Sequence, residues 1–223
     1  MMMNLLKKCD AEIIWDNEVL KSIFIYSFLA WSAKAIYDGN VFSAYLFIIC
    51  GGVNAEVGIA GGITGMTGVI LAPFIGIMSD KYGRIVIIKS GAVLGYIGTL
   101  IIIYGIFTDS YHTVLTSQVL NGAYYATTNP TMNALLADCV KAGSRSRVYT
   151  LKTVVLQLAS SVGPAVSLFL FLFLGNDWHM EVIKKVLFVG LAMFLVPITL
   201  LLTIFPSSFD QYTYKPQDPS HSY

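Results

Sequence analysis

The chain has 223 residues, of which 56% are hydrophobic and 12% charged, with a net charge of +1 and a mean hydropathy of +0.68. Soluble domains carry roughly 25% charged residues, so the composition excludes an ordinary soluble globule and points to a polytopic membrane protein. With no domain-wide cluster of Lys and Arg, it also argues against a nucleic-acid partner.

In chain order, residues 1–18 read as a cytoplasmic N-terminal segment. Leu5, Leu6, Ile13, Ile14 and Trp15 alternate with Lys7, Lys8, Asp10, Glu12 and Asp16, which suits either an amphipathic stretch on the membrane surface or a disordered tail. It is no signal peptide, because Lys7 and Lys8 lead into Cys9-Asp10-Ala11-Glu12 and not into an apolar run. Cys9, Cys50 and Cys139 have no metal or CxxC spacing and read as incidental small residues.

The first apolar stretch, about Val19 to Ile49, is too long for the roughly 30 Å hydrocarbon core at about 1.5 Å per residue. It must tilt, bend or protrude, and Asp38-Gly39-Asn40 is the expected break. Lys34 stands one helical turn before Asp38, so a cation and an anion share a face. Ionisable groups at membrane depth face a bundle interior or an aqueous cavity, which makes Lys34, Asp38 and Asn40 candidates for a substrate cavity. The alternative is a span ending near Tyr37, with 38–40 in a surface loop.

The second span, about Val57 to Met78, carries Gly58, Gly61, Gly62, Gly65 and Gly68 at small-xxx-small spacing, a pattern that lets backbones pack closely. Pro73 is expected to kink it. A charged loop follows, Gly76-Ile-Met-Ser-Asp80-Lys81-Tyr-Gly83-Arg84. Gly76 is expected to let a helix end pack close and Gly83 to supply a turn with positive φ. The pattern Gly76-x-x-x-Asp80-Lys81-x-Gly83-Arg84 resembles the signature of the major facilitator superfamily between its second and third membrane helices. That resemblance implies a conformational latch made of Gly76, Asp80, Lys81, Gly83 and Arg84.

The third span, about Ile85 to Phe107, contains a further small-residue pair, Gly91 and Gly95. The fourth, about Thr113 to Cys139, is too polar for a lipid-facing helix. Gln118, Asn121, Tyr125, Thr128 and Asn129 recur every three or four residues, near one helical face, where they either line a cavity or bond between helices. Asn129-Pro130 adds a break that frees carbonyls. Asp138 ends the helix, and the resemblance implies that it pairs with Arg84. The family's frequent arginine on this helix falls here at Gln118, before Gly122, which weakens a proton-antiport reading. A basic inner loop follows with Lys141, Arg145, Arg147 and Lys152.

The fifth span, about Tyr149 to Leu174, holds Gln157, a further cavity candidate, and Gly163-Pro164. Gly163 and Pro164 resemble the core of the family's antiporter motif and predict a helix kink, but Ala159 and Ser167 stand around them. The sixth span, about Val182 to Phe205, is almost wholly apolar, and residues 206–223 read as a cytoplasmic, linker-like tail. Eleven of fourteen basic residues fall in the proposed inner regions, with Lys184 and Lys185 outside, so six spans with both termini cytoplasmic satisfy the positive-inside rule.

The expected fold is an all-α bundle of six transmembrane helices over residues 19–205, resembling one half of the major facilitator fold. The resemblance implies secondary transport of a small polar solute by alternating access between two such bundles. The second bundle would be a missing C-terminal half, a homodimer mate or other membrane subunits; the linker-like tail favours the first. The alternative is a structural or accessory subunit of a membrane complex. The spacing of His112, His179, His221 and the acids carries no metal site, triad or cofactor motif, so neither enzyme nor cofactor is expected.

Overall fold

A computed structural model describes residues 17–140, 142–174 and 179–204. Among these, the chain is helical: α1 Glu18–Tyr37, α2 Asn40–Ile49, α3 Asn54–Tyr82, α4 Arg84–Thr108, α5 Tyr111–Cys139, a 3-10 turn Ala142–Ser144, α6 Arg145–Leu174 and α7 Met180–Ile204. Five segments are long and apolar enough to cross a membrane: Glu18–Ile49, Asn54–Tyr82, Arg84–Thr108, Arg145–Leu174 and Met180–Thr203. Helix α5 matches them in length, at 29 residues, but buries Ser117, Gln118, Asn121, Thr127, Thr128 and Thr131. Its low hydropathy comes from a polar face turned inward, not from exposure to water. The expectations for the N-terminal segment and the tail fall on residues outside those described.

The break in the first span lies at Asp38-Gly39, and helix resumes at Asn40. Asn17 starts α1 by accepting the Val19 N–H at 2.9 Å, one of the four donors a helix start leaves unpaired. Pro73, Pro130, Pro164 and Pro197 all lie inside helices. Membrane helices tolerate this because neighbouring groups take up the freed backbone positions.

Helices α3 and α4 both pack on α5, while α6 and α7 pack on α1; α7 also touches α4. The contacts on α5 are close because glycines provide them. A Cβ on Gly122 would lie 2.6 Å from the Thr64 carbonyl oxygen, and one on Gly95 would lie 2.6 Å from the Tyr124 ring. Gly91 likewise faces Thr127 and Thr128.

The structure corrects three expectations. Of the second-span glycines, Gly68 alone comes near another backbone among the described residues, its added Cβ lying 3.9 Å from the Gly122 carbonyl oxygen, while Gly58, Gly61, Gly62, Gly65 and Gly76 face open space, and α3 meets α5 mainly through Thr64 and Thr67 against Gly122. Most of the charged loop is helix: Gly76, Asp80 and Lys81 belong to the last turns of α3, and Gly83, at φ +92°, is the single residue between α3 and α4. Side chains rarely adopt that backbone region, so the turn requires glycine. Finally, Lys152 is buried and not a loop residue, because α6 begins at Arg145 and carries it inside.

Candidate functional site

Tyr125 stands at the midpoint of α5, about 21 Å of helix from either end. Around this level the two groups of helices meet through side chains of α1 and α5. The Tyr37 and Tyr125 hydroxyls bond at 2.8 Å, and those of Tyr26 and Tyr124 at 2.5 Å. Phe194 of α7 stacks 4.9 Å from Tyr37 and meets Tyr124 edge-on at 5.6 Å. Pairing the hydroxyls with each other removes the cost of burying them singly.

Lys34 donates to the Asp38 carboxylate one turn further along, and its ammonium lies 4.8 Å from the centre of the Tyr125 ring. The spacing legible in the sequence therefore produces a bonded pair. Both side chains remain about a quarter exposed, at 28% and 25%. The Asp38 backbone N–H closes α1 on the Lys34 carbonyl.

Beside Asp38 lies a cavity of about 210 Å³ between α2, α3 and α5. Its polar wall consists of Asp38, Ser43, Thr64 and Gln118, with the Thr64 hydroxyl donating to Gln118 Oε1 at 2.9 Å. Phe42, Leu46 and Val57 form the apolar wall. Gly61 and Gly65 leave room on the α3 side.

The polar stripe of α5 splits between two surroundings. Gln118 reaches the cavity and Tyr125 reaches Lys34 and Tyr37, but Asn121 and Thr128 turn towards Gly98 and Gly91 of α4. The reason is angular: at 100° per residue, Asn121 and Thr128 sit at the trailing edge of the stripe. Asn40, Asn129 and Gln157 are exposed and do not line the cavity. Sequence reasoning missed Ser43, Thr64 and the tyrosine pairs. Thr64 could have been noticed as one of two hydroxyl residues among the α3 glycines; Tyr26 and Tyr37 lie eleven residues apart, on one face of α1.

At one end of the bundle Arg84 Nε donates to Asp138 Oδ2 at 2.6 Å, while its contact with Asp80 is longer, at 3.8 Å, and leaves that side chain 76% exposed. Lys81 lies 5.4 Å from the centre of the Tyr82 ring. Lys152 donates to Asn133 Oδ1 at 2.6 Å, and the Tyr149 hydroxyl to the Asn133 carbonyl at 2.7 Å, so α5 and α6 are fastened just beyond Pro130. At the opposite end Asp109, in the left-handed conformation at φ +51°, accepts from Lys184 of α7 and, at 3.3 Å, from Tyr45 of α2.

Against this geometry, the sequence model of the Major Facilitator Superfamily matches residues 23–219. No curated protein matches the chain.

Proposed function

Because the chain belongs to the major facilitator superfamily, whose members are integral membrane transporters of small solutes, we propose that it moves a small polar solute by alternating access, with the cavity beside Asp38 as its part of the binding site. The observation that carries this reading is the Lys34–Asp38 pair at a helix break, beside Tyr125 at the midpoint of α5, with Asp38 on the wall of a cavity. Charged groups are costly at such depth, and a functional pathway is their usual reason. In this reading α5 also crosses the membrane and brings the spans to six, Gln118 and Tyr125 share the site with Lys34 and Asp38, and Asn40, Asn121, Asn129 and Gln157 stand around it on the open or packed faces. A second six-helix bundle completes the pathway. The open glycine face of α3 supports this, since a bare backbone face in lipid lacks the close packing that such faces favour.

The test is uptake of a labelled panel of small charged and neutral solutes into vesicles that carry the protein, against protein-free vesicles. At least one solute is expected to accumulate, and Asp38→Asn is expected to lower its rate about tenfold or more, since a charge-assisted bond contributes about 1.5–3 kcal/mol. If Asp38→Asn runs at the parent rate, the site assignment is wrong.

The Arg84 end serves as the latch in this scheme, with Gly76, Asp80, Lys81, Gly83, Arg84 and Asp138. Asp80→Asn is expected to leave folding intact, because an exposed pair at 3.8 Å contributes little, and to slow transport. Unchanged transport would remove Asp80 from the latch.

A further inference from the structure

We infer that the cavity beside Asp38 takes a small solute bearing a positively charged ammonium group; this rests on the transport reading above and adds the class of its substrate. Among the described residues the lining holds one full charge, the Asp38 carboxylate, and no Lys, Arg or His. Among the described residues the side-chain bond to that carboxylate comes from Lys34 at Oδ2, which leaves Oδ1 without a partner. An arriving cation therefore finds an unused acceptor on a wall that is otherwise hydroxyl, amide and hydrocarbon.

Lys34 makes this arrangement workable without lining the cavity itself. When no ligand is bound it neutralises Asp38, so the empty site carries no uncompensated charge. Its ammonium also lies 4.8 Å from the Tyr125 ring centre, inside the range of about 6 Å over which an aromatic face attracts a cation. A guest ammonium that takes over the carboxylate leaves Lys34 with that second stabilising partner. Phe42 on the cavity wall offers the guest an aromatic surface of its own.

The other charge classes fit less well. A carboxylate or phosphate would face Asp38 directly, with the compensating Lys34 outside the lining. A neutral polyol would bond to Ser43, Thr64 and Gln118 and donate a hydroxyl to the Asp38 carboxylate, but it would leave that negative charge unbalanced once Lys34 is displaced. The volume of about 210 Å³ is below the roughly 300–1,000 Å³ of pockets for drug-sized ligands, so the guest is a compact amine and not a bulky one.

The experiment uses the full chain in lipid nanodiscs for binding by calorimetry, and vesicles carrying it for uptake. The probes are ethanolamine, choline, propionate and glycerol, similar in size and different in charge. Ethanolamine, choline or both are expected to bind and to be taken up, with binding about 10- to 100-fold weaker in Asp38→Asn. Should that variant fail to fold, the double variant Lys34→Met/Asp38→Asn, which removes both charges together, reads the same loss. Binding and uptake of propionate or glycerol in place of the amines would overturn the charge assignment and leave the transport reading standing. Amine binding that is unchanged in both variants would place the cation elsewhere and overturn the inference. If none of the four probes binds while another solute of the uptake panel is transported, the ammonium class is wrong; if none binds and nothing is transported by the protein assembled as a two-bundle particle, both readings fall together.

Discussion

Gly163→Ala is expected to lower the melting temperature of the bundle sharply, whereas Gly58→Ala leaves it unchanged or raises it. The new methyl at 163 would fall on the Ala35 main chain of α1, with the Ala35 carbonyl carbon at 2.6 Å. No rotamer relieves that contact, so α1 and α6 must move apart along a buried seam. Overpacking of this kind costs about 1–3 kcal/mol and occasionally more. With three Ala35 atoms within 2.9 Å of the added carbon, this site belongs at the upper end, above the helix-propensity gain of about 1 kcal/mol for replacing glycine by alanine. At Gly58 nothing lies within 4 Å of the added atom, so the propensity term acts alone. Tryptophan-fluorescence or size-exclusion melts of the two variants decide it. A Gly163→Ala protein as stable as its parent would mean that the α1–α6 seam is looser than the geometry shows.

The contrast between these two glycines also shows what can be read from the sequence. Both look alike there, as small residues in an apolar helix. Which one meets a neighbour depends on how each helix is rotated about its axis, and a helix hydrophobic on every side gives no amphipathic signal to fix that rotation. The division of the α5 stripe has a different cause: the polar face is legible, but which edge meets the cavity, as Gln118 does, and which meets α4, as Asn121 does, depends on where the neighbouring helices pack. Features set by local chemistry were legible. The helix break follows from Asp38-Gly39, the Lys34–Asp38 bond from one turn of helix, and the positive φ of Gly83 from the glycine itself. The Arg84–Asp138 bond joins residues far apart in the chain, and it came from the family resemblance, since a single sequence does not encode that contact. The tyrosine pairs were missed for the same reason. Their hydroxyls need partners only once α1 and α5 are side by side.

Removing Lys34 and Asp38 one at a time and then together is expected to separate their structural role from their functional one. Lys34→Met leaves the Asp38 carboxylate without its ammonium about halfway down the bundle, and Asp38→Leu leaves the lysine with only the Tyr125 ring. Breaking a fully buried pair costs about 3–5 kcal/mol. Here the side chains are 28% and 25% exposed, so solvent screens part of the loss and about 1–3 kcal/mol for each single variant is the expected scale. The double variant Lys34→Met/Asp38→Leu restores charge balance and adds apolar contact, so its stability should return to within about 1 kcal/mol of the parent, as replacing whole buried pairs generally does. Transport should not return with it. If the pair serves only to hold the helix break together, the double variant regains transport along with stability. If the pair belongs to the solute pathway, stability recovers and uptake stays lost. Melting curves and vesicle uptake on the same four proteins distinguish the two cases, because a structural role ties both measurements together and a functional role uncouples them.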